Sequence, residues 1–199
     1  CSGADLGNLD EWRKSPIELR KWQSRYANLL IALNKVGKPT IAAVQGYALA
    51  GGCGLAVACD LTISSDTGVF GIPEITRGIW GMMITPTISR AIGPKKSLEL
   101  MYTGKFIKAD EAERIGLINT VVSNDRFEQE VQELANSIAE RSPLTLSMGR
   151  EAFYNCRDME YFKSMDYLRE IVTLLVASDD VHEGITAFQE KRKPIWQGK

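Results

Sequence analysis

The chain has 199 residues, 44% hydrophobic and 25% charged, and its 24 basic and 25 acidic side chains nearly cancel. That length can bury a sizeable core, and the near-neutral balance offers no basic field of the kind nucleic acid or an anionic membrane selects. A single histidine, His182, excludes a multi-histidine metal site, and it is the only residue a Ser-His-Asp or Cys-His apparatus could use.

Cys1, Cys53, Cys59 and Cys156 have neither zinc-type spacing nor the density of a disulfide framework. Their pattern fits an intracellular, reducing compartment: the cytoplasm, or the mitochondrial matrix or a peroxisome in a eukaryote. The longest apolar run, Ile41 to Ala50, is broken by Gln45 and Gly46 and is too short to span a bilayer.

Pro16 to Val36 reads as an amphipathic helix with Ile17, Leu19, Trp22, Tyr26, Leu29, Leu30 and Leu33 at three- and four-residue steps. Ser15 is its cap and Gly37 its stop. Thr40 to Tyr47 is continuously apolar, which predicts a strand buried on both faces, as in a parallel sheet. A small-residue helix follows over Gly51 to Ala58, then a strand over Asp60 to Ser65 and a short one over Val69 to Gly71. Strand, helix, strand at this spacing is an α/β layered unit.

Past Gly81 helical patterns dominate, over Met82–Ile92, Lys95–Tyr102, Ala109–Ile115, Phe127–Arg141, Pro143–Asn155, Met159–Ala177 and Val181–Lys191. Only Leu117 to Val122 reads as a strand there. The expected organisation is an α/β body over residues 1–103 and a helical region over residues 104–199. The helix at 159–177 carries apolar side chains on more than one face, which fits either subunit packing or burial within one chain.

Three segments could carry chemistry. Gly46 to Gly54 leaves a buried strand and opens a helix, so its first-turn N–H groups and dipole can receive an anion or a developing oxyanion; tight strand-to-helix packing accounts for the glycines equally. Glu74 stands alone in the apolar run Phe70 to Ile75. It is either a charge that complements a helix start or a carboxylate of raised pKa suited to general acid or base work. Cys1 to Leu6 is a small-residue turn that could present a second N–H donor beside Gly51. His182, after Asp179 and Asp180, reads as a surface residue, and Cys53 and Cys59 as buried thiols.

In this order the segments resemble the enoyl-CoA hydratase/isomerase, or crotonase, superfamily. Gly3-Ala4-Asp5-Leu6 matches its Gly-Ala-Asp loop. Ala43 through Asp60 matches its glycine-rich strand–helix stretch, with Ala50 where glycine is usual, and Phe70 through Glu74 matches its Phe-x-x-Pro-Glu motif. Tyr102-Thr103-Gly104, Ala109 to Ala112, Gly116-Leu117 and Ala187 to Arg192 continue the likeness across the chain.

The resemblance implies an α/β fold, a crotonase-like spiral of β-β-α units with a helical C-terminal part. It also implies that further strands precede Cys1. The substrate would be an acyl-CoA, with coenzyme A entering as part of it and no permanently bound cofactor or metal. The backbone N–H groups of Ala4 and Gly51 would hold the thioester oxygen as an enolate forms. Cys1, Ser2, Asp5 and Leu6 would lie along CoA, with Phe188 and Lys191 closing on its nucleotide end. Trimers, often paired into hexamers, are implied.

Where the resemblance implies a first catalytic glutamate, this chain has Gly54; only Glu74 remains. Two acids can activate water and protonate carbon separately, whereas one suffices to move a proton between carbons. The expected reaction is therefore Δ3–Δ2 enoyl-CoA isomerisation. Hydration, a single-glutamate lyase or decarboxylase reaction, and a non-catalytic CoA-binding relative are the alternatives. Trp80, Met82 and Met83 stand where the likeness has a glycine-rich turn, and either line an apolar acyl pocket with Gly54 or fill core beneath the next helix.

Overall fold

The computed structural model describes residues 1–7 and 15–199. They form two compact units, one of Cys1–Leu33 with Thr40–Gln132 and one of Asn34–Pro39 with Glu133–Lys199.

The first unit opens on helix α1, Pro16–Lys35, which it contains up to Leu33. Ser15 caps α1 as its position predicts: its hydroxyl accepts the Glu18 amide at 3.3 Å. The inward stripe is narrower than the hydrophobic periodicity suggests. Leu30 is buried and Tyr26 packs against the core, whereas Ile17 and Leu29 are exposed.

Strand β1, Ile41–Val44, is followed by β2, Tyr47–Leu49, and helix α2, Gly51–Ala58. Strands β3, Leu61–Ser65, and β4, Val69–Gly71, come next, with a 3-10 turn over Pro73–Arg77 and helix α3, Thr85–Thr103. The expected single strand over 40–47 is in fact two. Gly46, at a φ of 114° that favours glycine, redirects the chain between them. As a result β1 joins β3 in one sheet and β2 joins β4 in another.

Both pairings are parallel, Ile41 opposite Leu61 and Tyr47 opposite Val69. Each strand–strand–helix unit thus lies on the next in the same sense, the step of a β-β-α spiral. β1 is not buried on both faces as its apolar run predicts. It is an edge of the β1–β3–β6 order among the described residues, and Ala43 is exposed.

Helix α3 runs through a kink at Gly93 and Pro94, where the patterns predict two helices. Pro94 cannot donate to the ladder, and Gly93 has the non-helical φ of 71°. A short strand the patterns miss, β5 over Phe106–Lys108, pairs antiparallel with β4, so the first unit's sheets continue past residue 103. Helix α4, Ala109–Arg114, and strand β6, Thr120–Val122, complete that part. Its core gathers Phe70, Ile72, Ile84, Ile88, Leu100 and Met101, all 2% exposed or less. Truncating a residue placed like Phe70 to alanine costs about 3–5 kcal/mol.

Helix α5, Phe127–Ala139, begins in the first unit. The second unit holds α6, Pro143–Cys156, α7, Tyr161–Val176, and α8, Asp179–Gln189. Its anchor is Asp180, 1% exposed. The Asp180 carboxylate accepts the Ser142 hydroxyl at 2.6 Å and the Gln197 amide at 2.7 Å. Those donors hold its pKa below the usual carboxylate range. No residue of α7 is buried; Tyr161, Phe162, Val172 and Leu174 stand out to solvent. No helix of the described residues is long and apolar enough to cross a membrane.

Candidate active site

The start of α2 and the loop Cys1–Leu6 come together. Leu49 donates its amide to the Cys1 carbonyl at 2.9 Å, and the Cys1 nitrogen donates to the Tyr47 carbonyl at 2.7 Å. Cys1 therefore continues the strand register beside β2. A Cβ added to Gly52 would stand 2.2 Å from the Cys1 carbonyl oxygen, so only glycine admits this approach. One built on Gly3 would be 2.9 Å from the Ala50 Cβ and 3.6 Å from the Gly51 nitrogen. The loop that carries Ala4 thus passes directly over the first turn of α2.

Gly51 is the first residue of α2, and a first-turn N–H has no partner within its own helix. The helix dipole adds positive potential at that end. Ala50, just before it, has a φ of 52° and a ψ of −124°, a conformation that suits glycine. Holding a residue with a Cβ there costs about 1–3 kcal/mol, so the surroundings must over-determine it. Ala50 donates to the Gly71 carbonyl at 2.9 Å, and its own carbonyl accepts the Gly54 amide at 3.1 Å.

Tyr26 meets the same turn from α1. Its hydroxyl donates to the Gly51 carbonyl at 2.6 Å. Burial, then the proximity of Cys53 and Glu74, raises its pKa and keeps it a neutral donor. The sequence alone does not single out Tyr26, which lies in an apolar helical stripe 25 residues upstream of Gly51. The only local signal is the polar tip of that one aromatic.

Glu74 sits in the first turn of the 3-10 segment, after Pro73. Its Oε2 is buried and accepts no hydrogen bond. Burial raises its pKa, against smaller opposing effects from its own amide and from Arg77. A carboxyl so placed favours its protonated form more than an exposed one does.

Gly54 has no room for a side chain. Its Cβ would fall 2.1 Å from the Ile84 Cγ2 and 2.8 Å from the Tyr26 hydroxyl. Ile84, 2% exposed, reaches on to Gly81, whose Cβ would be 3.1 Å from the Glu74 Oε1. The Glu74 carboxyl thus has an apolar wall beside it.

The remaining expected residues have different settings. Trp80 packs on the core, donates its indole N–H to the Thr85 hydroxyl at 3.1 Å and stacks edge-on with Tyr102 at 5.5 Å. Met82 is 71% exposed and Met83 half-buried, so core filling describes Trp80 alone; α3 begins after both methionines, at Thr85. Ser2, Asp5 and Leu6 are exposed, and the Asp5 carboxylate turns back to accept the Gly7 amide at 2.9 Å. Phe188, 85% exposed, and Lys191 belong to the second unit. His182 is exposed, as expected. The buried Cys53 thiol is pushed up to about 12, chiefly by desolvation, so it stays protonated and is no nucleophile.

An α/β spiral that presents a glycine-rich helix start to a small-residue loop, with a half-buried carboxyl on the 3-10 turn, defines a class of protein. The family model "Enoyl-CoA hydratase/isomerase" matches residues 1–199. The chain belongs to that family and has the crotonase fold.

It is 36% identical over 200 residues to the 2,3-dehydroadipyl-CoA hydratase of Escherichia coli, covering 100% of this chain and 77% of that one. It is 41% identical over 179 residues to the "Probable enoyl-CoA hydratase, mitochondrial" of Dictyostelium discoideum, covering 87% of this chain; it spans only 65% of that relative's length. The crystal structure of an enoyl-CoA hydratase from Bacillus anthracis superimposes with a TM-score of 0.93 at 31% identity, over 100% of this chain and 77% of that one.

Proposed function

We propose that this chain moves a proton on the acyl group of a coenzyme A thioester, with Glu74 as the proton-carrying group. The favoured reaction converts a 3-enoyl-CoA into a 2-enoyl-CoA. Glu74 takes a proton from the carbon beside the thioester. The charge spreads over the dienolate, and the proton returns two carbons further along, so no atom is gained or lost. The N–H groups of Ala4 and Gly51 receive the negative oxygen; one such donor is typically worth about a hundredfold or more in rate.

The observation that carries this reading is the Gly54–Ile84 contact beside a buried, unpartnered Glu74 Oε2. The likeness would put a first glutamate at position 54, but that position cannot hold a side chain here, and Glu74 is left without that partner.

Hydration is a second reading, favoured by the likeness to relatives that are named hydratases. The two separate by assay: 3-hexenoyl-CoA and 2-hexenoyl-CoA are offered in turn, and the first is expected to be consumed far faster. Rapid hydration of the 2-enoyl ester with no isomerisation would refute the favoured reaction. CoA would run along Cys1, Ser2, Asp5 and Leu6. The exposed apolar residues of α7 support packing into a homotrimer or hexamer.

A further inference from the structure

The turn that aims the Gly51 N–H is held against its own preference. Ala50 carries a Cβ in a backbone region that suits glycine, and only its surroundings can keep it there. Three hydrogen bonds do so. Two are backbone contacts, from Ala50 to the Gly71 carbonyl at 2.9 Å and from Gly54 to the Ala50 carbonyl at 3.1 Å. The third, and shortest, is the Tyr26 hydroxyl on the Gly51 carbonyl at 2.6 Å.

The Tyr26 ring also covers the open side of Gly51. A Cβ there would meet three ring and hydroxyl atoms at 3.5–3.6 Å. The peptide that carries the Gly51 N–H is held through the Ala50 carbonyl by Gly54, the peptide before it by Gly71 and the peptide after it by Tyr26, and this one side-chain clamp comes from a different helix.

We infer that Tyr26 is a positioning residue for the oxyanion hole, holding the strained Ala50 turn so that the Gly51 N–H keeps its aim at the thioester oxygen. The inference rests on the reading of Gly51 as a donor to that oxygen. A donor fixed before the substrate arrives stabilises the enolate without reorganising, and small losses of aim are costly in rate.

The phenol is half-buried and gives its proton to the Gly51 carbonyl. Tyr26→Phe keeps the ring and deletes only that bond. The expected result is a fall in kcat of about tenfold to a hundredfold, with KM within about twofold, because ground-state binding does not need the exact aim.

The direct readout is the infrared stretch of the labelled thioester carbonyl in bound crotonyl-CoA. Wild type should shift it to lower frequency, and Tyr26→Phe should shift it less. A second variant guards against misfolding. With Ala50→Gly the turn is no longer forced, so in that background Tyr26→Phe should lower kcat by less than about threefold.

An equal carbonyl shift in wild type and Tyr26→Phe would overturn the role of Tyr26 and leave the oxyanion reading standing. So would a loss in the Ala50→Gly background as large as in wild type. No carbonyl shift in wild type would sink the oxyanion reading itself, and the inference with it.

Discussion

The Ile84 side chain occupies the space that any side chain at Gly54 would need, with its Cγ2 2.1 Å from where that Cβ would stand. The absence of a carboxylate on α2 is therefore a packing arrangement as well as a substitution. Gly54→Ala should destabilise the fold by about 1–3 kcal/mol through overpacking. Ile84→Ala alone should cost about 2–5 kcal/mol through the cavity it leaves. Combined, the two should cost at least about 1 kcal/mol less than their sum, because each relieves the other. Urea denaturation of the four proteins measures this; strict additivity would contradict the contact.

Ala50 should be a site where glycine stabilises. Its φ of 52° and ψ of −124° are strained for alanine and free for glycine. Ala50→Gly is expected to raise stability by up to about 1 kcal/mol after the entropy lost by the more flexible unfolded chain. Thermal melting at equal protein concentration decides it, and a lowered midpoint would contradict the strain.

The half-buried Glu74 carboxyl predicts a pH-dependent stability. Burial raises its pKa in the folded state above the ordinary 4.5. Its contribution to stability is then fully present below about pH 4.5 and is lost as pH rises through the raised value. Glu74→Gln removes that loss. The variant should match wild type near pH 4.5 and melt higher than wild type at pH 7.5. A difference that stays constant across that range would show that the carboxyl titrates normally.

Much of this site is legible in the sequence because its signals are local. The bounds Gly51–Ala58 and Val69–Gly71 emerge as expected, since a glycine cluster and a short β-rich run each mark themselves. Glu74 stands out as a lone acid in an apolar run, which fits a helix-start charge or a pocket carboxyl, and the fold leaves it half-buried.

What stays hidden depends on tertiary contact. Tyr26 and Ile84 look like ordinary core residues of two helical segments, and only the folded chain sets them against Gly51 and Gly54. Strand β5 is three residues long, too short for a period to show, and it exists because β4 offers it an edge. The exposure of Ala43 in β1 is equally invisible, because burial of a strand depends on the neighbours it finds.

The central claim is that Glu74 carries the proton, and Glu74→Gln tests it most directly. Glutamine keeps the shape and the site, and it cannot take up or release a proton at working pH. Turnover of 3-hexenoyl-CoA and binding of a non-reacting acyl-CoA are measured together on wild type and variant. The expected result is a loss of turnover of at least about a hundredfold, the scale of one general acid–base group, with binding unchanged within about threefold. Full activity in Glu74→Gln would contradict the account.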